Sequence, residues 1–63
     1  MKKYEGNIGS YSFIMNDPMT IEVWADMNGE YPESYIYLRD GQIKSEKDFH
    51  LEIMDWYDKH ATV

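Results

Sequence analysis

The sequence predicts a two-layer α+β fold: an antiparallel three- to four-stranded β-meander followed by one C-terminal amphipathic α-helix packed on one sheet face. Three observations carry that expectation. Residues 45–60 have the periodicity of a helix, whereas everything before them alternates or breaks in turn residues. Asn28-Gly29 and Asp40-Gly41 are strong two-residue hairpin signals. The registers set by successive turns all bring the apolar sides of the strands to one face, as a half-buried sheet requires.

Residues 3–15 are read as one long strand, with Tyr11, Phe13 and Met15 alternating against Ser10, Ser12 and Ile14. Gly6 and Gly9 in its first half mark a bulge or a close approach by another group. Asn16-Asp17-Pro18 then breaks the run with turn chemistry. The second strand, 19–27, points Met19, Ile21, Val23 and Ala25 one way and Thr20, Glu22, Trp24 and Asp26 the other. A three-residue loop at 16–18 would set Met15 opposite Met19, Phe13 opposite Ile21 and Tyr11 opposite Val23.

Asn28-Gly29 would pair Met27 with Glu30, hence Ile21 with Ile36 and Met19 with Leu38, in a third strand over 30–39. Pro32 lacks an amide hydrogen, so that position must face away from a partner strand. Asp40-Gly41 would return Arg39 onto Gln42 and start a short fourth strand, 42–44. Over the helix, about 46–60, Phe49, Ile53, Trp56, Tyr57 and His60 share one side, flanked by Met54. Ser45 is its N-cap, and Asp48 approximates a capping box. Glu46 and Asp48 in the first turn, and Lys59 and His60 in the last, suit the helix dipole. The expected core joins Phe49, Ile53, Trp56 and Tyr57 to Tyr11, Phe13, Ile21, Val23, Ile36, Leu38 and Ile43.

A chain of 63 residues is expected to form a single small domain, 1–63, without linker or repeat. Such a length buries only ~60% of its unfolded surface. With no cysteine there is no disulfide and no thiolate chemistry, so ten aromatics (two Trp, six Tyr, two Phe) and five Met supply much of the core volume. The start MKKYEGNIGS has no apolar run behind its lysines, so no secretory signal is expected, and no stretch approaches the ~20 apolar residues of a membrane span. A cytoplasmic setting follows as the expectation.

Catalysis, metals and cofactors find no support in the pattern. Glu46 and His50 share a helix face, but no further ligand completes them, and His50 and His60 cannot meet on one helix. Asp26-Met27-Asn28-Gly29-Glu30 falls short of a calcium loop, because its glycine comes too early and Tyr37 stands where the closing glutamate belongs. Ser10, Ser12, Ser34 and Ser45 lack a nucleophile motif. The paired carboxylates lack a cleft to shift a pKa. The protein is therefore expected not to be an enzyme.

Two surfaces are left as candidate interfaces. The helix face away from the core carries Asp48, Glu52, Asp55 and Asp58, with Lys59 the one nearby cation. In a chain of net charge −6, that row attracts a protein with a basic surface. By analogy with small acidic chains of phage or mobile-element type, it would stand in for nucleic-acid phosphates and occupy a basic groove. The second surface is the uncovered sheet face, with Trp24, Tyr35 and Tyr37 beside Thr20, Glu22, Arg39 and Lys44. It suits a second copy of the chain, because a two-fold axis lets one patch serve both. Direct binding of nucleic acid is not expected, since Arg39 and Lys44 make no basic track against a charge of −6. No membrane partner is expected either. The sequence thus predicts a non-catalytic acidic protein-binding module, a regulator or inhibitor on a basic partner. The alternative is a homodimeric or assembly-forming protein that uses its aromatic sheet face.

Overall fold

A computed structural model describes residues 3–25 and 29–61. Four strands, β1 (Tyr4–Ile8), β2 (Tyr11–Asp17), β3 (Thr20–Trp24) and β4 (Ser34–Tyr37), form one antiparallel sheet in the order β1-β2-β3-β4. The helix α1 (Glu46–Ala61) follows and packs on one side of it. The fold is the expected α+β meander with a C-terminal helix.

The four strands are not the four expected. The run 3–15 is two strands folded back on each other, with Ile8 opposite Tyr11 and Tyr4 opposite Met15. Gly9-Ser10 makes the turn, and Gly9 takes φ 60°, which a Cβ would oppose. Positive φ at the first of two central residues matches the twist of the strands it joins. The Tyr57 hydroxyl also lies 2.7 Å from where a Gly9 Cβ would be. Gly6 is neither turn nor bulge. It faces the helix, and a Cβ there would meet Ile53 Cδ1 at 3.0 Å and Phe49 Cε2 at 3.3 Å.

Between β2 and β3 the register differs from the expected one by two residues. Phe13 lies opposite Val23 instead of Ile21, and Ser12 opposite Trp24. The cause is a tighter turn followed by a bulge. Asp17 pairs with Thr20, and its Oδ1 accepts a hydrogen bond from Met19 N at 2.8 Å, which closes an Asx-type turn around Pro18. Between Ile14 and Asp17 the register then shifts, so Met15 and Asn16 together face Ile21. A shift of two keeps every side chain on its expected face, so Phe13, Ile21 and Val23 are buried all the same. Met19 is the exception: drawn into the turn, it is 49% exposed.

The β3–β4 register is the expected one, with Ile21 opposite Ile36 and Thr20 opposite Tyr37. The ladder is shorter than expected. It ends at Val23 and Ser34, where Glu33 N donates to Val23 O, and Ala25 is exposed beyond it. Pro32 therefore lies outside the strand, where its missing amide costs no ladder bond. The Met27–Glu30 pairing, the Asn28 half of that turn and the outward place of Asp26 lie outside the described residues.

Residues 42–44 form no strand. Gln42 N donates to Arg39 O at 3.0 Å and Gly41 takes φ 78°, while Asp40 keeps a negative φ. That is the pattern of a type II turn, whose twist splays strands instead of pairing them. The chain leaves the sheet there, packs Ile43 against the core and enters the helix.

At the helix start Ser45 Oγ accepts from Asp48 N (3.3 Å) and Ser45 O from Phe49 N (3.2 Å). The Asp48 carboxylate accepts from Lys44 N at 3.0 Å, one residue before the position a capping box would use. From there α1 runs beside β1. Phe49 stacks on Tyr4 with ring centroids 5.7 Å apart, Ile53 sits over Gly6 and Tyr57 reaches Gly9. Trp56 stands edge-on to Tyr11 and Phe13, at 5.4 and 5.7 Å. The buried core is Phe13, Met15, Ile21, Val23, Ile36, Leu38, Phe49 and Ile53, with Tyr4, Ile8, Tyr11, Ile43 and Trp56 packed around it.

Candidate functional site

The acidic helix face is present, but its four carboxylates are not equivalent. Asp48 and Glu52 are half-buried, and Asp55 and Asp58 are exposed. Asp48 is committed to the cap at Lys44 N. Glu52 accepts a hydrogen bond from the Gln42 side-chain amide, whose own Oε1 accepts from Arg39 N. One glutamine thus ties the helix to the 39–42 turn. Asp55 pairs with Lys59 at 3.0 Å, four residues on. The hydrogen bond that Lys59 donates to that carboxylate, then the carboxylate's charge, raise the Lys59 pKa above its ordinary value. Reversing all four acids would therefore remove a cap and a tether as well as charge. Only Asp55 and Asp58 can be reversed without touching the turn or the cap.

Asp48, Glu52 and Asp55 line a shallow groove of about 310 Å³ together with Gln42, Ile43 and Leu51. Its walls are carboxylates, and its apolar lining is one isoleucine and one leucine that is 55% exposed. A lysine or arginine side chain fits such a lining: the methylene stem covers Ile43 and Leu51 while the charged head meets the acids. Glu52 and Leu51 were legible as part of the helix, but Gln42, which donates to Glu52, was not, because it comes from a turn ten residues before that glutamate.

Trp24, Tyr35 and Tyr37 come together on the sheet face opposite the helix. Tyr35 is 44% and Tyr37 80% exposed, and their rings lie 6.2 Å apart. Trp24 is half-buried, with its indole N–H donating to Glu22 Oε1 at 3.0 Å. Glu22 faces Tyr35 across the ladder, so Trp24 stands diagonal to that tyrosine. Arg39 and Lys44 lie beyond the end of β4, outside the sheet. Trp24→Ser should leave a cooperative fold and cost about 1 kcal/mol or less, since the residue is outside the core. Urea unfolding followed by Trp56 fluorescence checks this, and loss of the folded state would make Trp24 part of the core.

Glu46 Oε1 lies 3.5 Å from His50 Nε2 on the helix. Among the described residues no group of three or more His, Asp or Glu side chains is placed to hold a metal ion, and no helix is long and apolar enough to cross a membrane. Set against protein-family models, curated proteins and solved structures, the chain has no match.

Proposed function

We propose that the protein is a non-catalytic acidic binding module, a regulator or inhibitor that docks on the basic surface of another protein in the cytoplasm. The observation that supports this reading best is the groove between α1 and the 42–43 segment. There Asp48, Glu52 and Asp55 stand around Ile43 and Leu51, so carboxylates and an apolar lining meet in the combination a lysine or arginine side chain fills. The net charge of −6 acts in the same direction at longer range, drawing a basic partner in and keeping phosphate groups and anionic lipid away. Asp48 and Glu52 are held by their hydrogen bonds, so the acids are presented without first having to be ordered.

A dye-labelled oligolysine peptide is the first probe. Its affinity should fall by about tenfold or more as salt is raised from ~50 to ~300 mM, because the carboxylates line a shallow groove that salt ions reach. The double variant Asp55→Lys/Asp58→Lys should lower affinity further at ~50 mM salt, with an unchanged circular dichroism spectrum. Trp24→Ser on the opposite layer should bind like the parent. Peptide binding that ignores salt, or that survives the double reversal, would remove the groove as the interface.

A further inference from the structure

β4 is an open edge. It closes the sheet on one side, and its ladder to β3 leaves half of its main-chain groups pointing outward. Leu38 N donates to Met19 O at 2.8 Å, and Ile36 lies opposite Ile21. By the alternation of an antiparallel ladder, residues 36 and 38 face β3, so the N–H and C=O of Tyr35 and Tyr37 face away from it. Edge strands are normally guarded by a charge, a proline or a bulge. β4, with the sequence SYIY, has none of the three. The opposite edge, β1, carries Glu5 paired with Lys3 at 3.0 Å.

We propose that β4 pairs with β4 of a second copy, antiparallel about a two-fold axis through Ile36, to join the two sheets into one. In this register each Tyr35 lies opposite the partner copy's Tyr37, and each such pair exchanges both main-chain hydrogen bonds. The side chains select the same register. Glu33 and Arg39 flank β4 at its two ends and both are exposed. Antiparallel pairing centred on Ile36 sets the Glu33 end of each β4 beside the Arg39 end of the other, at both ends, with Glu33 just past the last ladder residue, where its own N–H turns in to Val23 O. A shift of two residues either way loses that match. The ladder also has a natural stop, because Gln42 already occupies the main-chain N–H and C=O of Arg39. The exposed Tyr35 and Tyr37 rings then form one cluster across the axis, which covers the most exposed aromatic of the sheet.

Light scattering and sedimentation over a range of concentrations test this, on the full chain. The parent should dimerise below about 1 mM. Association should hold or strengthen as salt rises, because two bodies of charge −6 repel and salt screens that repulsion. This is opposite in sign to the oligolysine contact, so either reading can fail alone. Glu33→Arg should weaken the dimer by about tenfold, and Arg39→Glu likewise, through like charges at both ends. The double variant Glu33→Arg/Arg39→Glu should restore the parent dimer to within about threefold. Tyr37→Pro removes an outward N–H and one exposed ring of the cluster without touching the ladder to β3, so it should give a monomer whose circular dichroism is that of the parent. A parent that stays monomeric at about 1 mM overturns the proposal. So does a double variant no better than the singles, or a Tyr37→Pro variant that folds and still dimerises.

Discussion

Phe49→Ala should remove about half or more of the protein's stability at room temperature. Phe49 is fully buried, stacks on Tyr4 and lies against the backbone of Gly6, so it is the helix residue that joins α1 to the edge strand β1. Truncating a buried phenylalanine costs about 3–5 kcal/mol, from lost burial plus the cavity left behind. At about 0.05–0.15 kcal/mol per residue, a 63-residue fold holds only about 3–9 kcal/mol in all. Ile53→Ala, one turn on and equally buried, should cost about 2–4 kcal/mol. Leu51→Ala is the control: the side chain is 55% exposed, and its loss should stay within about 1 kcal/mol. Urea midpoints for the three variants decide the matter, provided m is unchanged. Equal losses for Phe49→Ala and Leu51→Ala would mean that the helix presents a different face to the sheet.

The faces of the strands were legible in the sequence, and the turns less so. Alternation with period two fixes which side chains point inward, and it survives any register shift of two. That is why Phe13, Ile21 and Val23 are core residues although their partners across the ladder differ from those expected. The bulge at Met15 and Asn16 depends on how Asp17 caps the next turn, an interaction that apolar periodicity does not encode. The first hairpin did leave a signal. Tyr4, Gly6 and Ile8 are inward at even positions, whereas Tyr11, Phe13 and Met15 are inward at odd ones, and the parity changes at Gly9-Ser10. A single strand cannot change parity without a bulge, and Gly-Ser between two apolar residues is a hairpin pair.

The acidic row was legible as a list of residues, but not as a working surface. Wheel positions separate Asp48 and Glu52 from the apolar side of the helix without showing that the first caps Lys44 and the second holds Gln42. Both partners come from the segment before the helix. Its path follows from the type II turn at Gly41, where hairpin pairing was expected. The same turn removed the expected strand 42–44 and created the groove in which the acids meet Ile43 and Leu51.

Gly6→Val should destabilise by about 1–3 kcal/mol, although valine is the better strand residue. The position has room for very little. A Cβ would stand 3.0 Å from Ile53 Cδ1, 3.3 Å from Phe49 Cε2 and 3.4 Å from His50 Cε1. For Gly6→Ala the tightest neighbour is the tip of a flexible side chain, which can turn aside. The gain from removing a strand glycine, about 0.5–1 kcal/mol, then roughly offsets the crowding. Valine adds two methyls, and the Phe49 ring cannot retreat because Tyr4 is stacked on it. The helix must lift from β1 instead. Ile53→Val removes the very methyl that crowds Gly6, so the two sites should couple. Alone, Ile53→Val should cost about 0.5–1.5 kcal/mol; combined with Gly6→Ala, it should cost less than the sum of the two single variants. Thermal or urea unfolding of the four-member cycle gives the coupling directly. Strict additivity would show that α1 does not press on Gly6, and that the glycine owes its place to something other than the close approach of the helix.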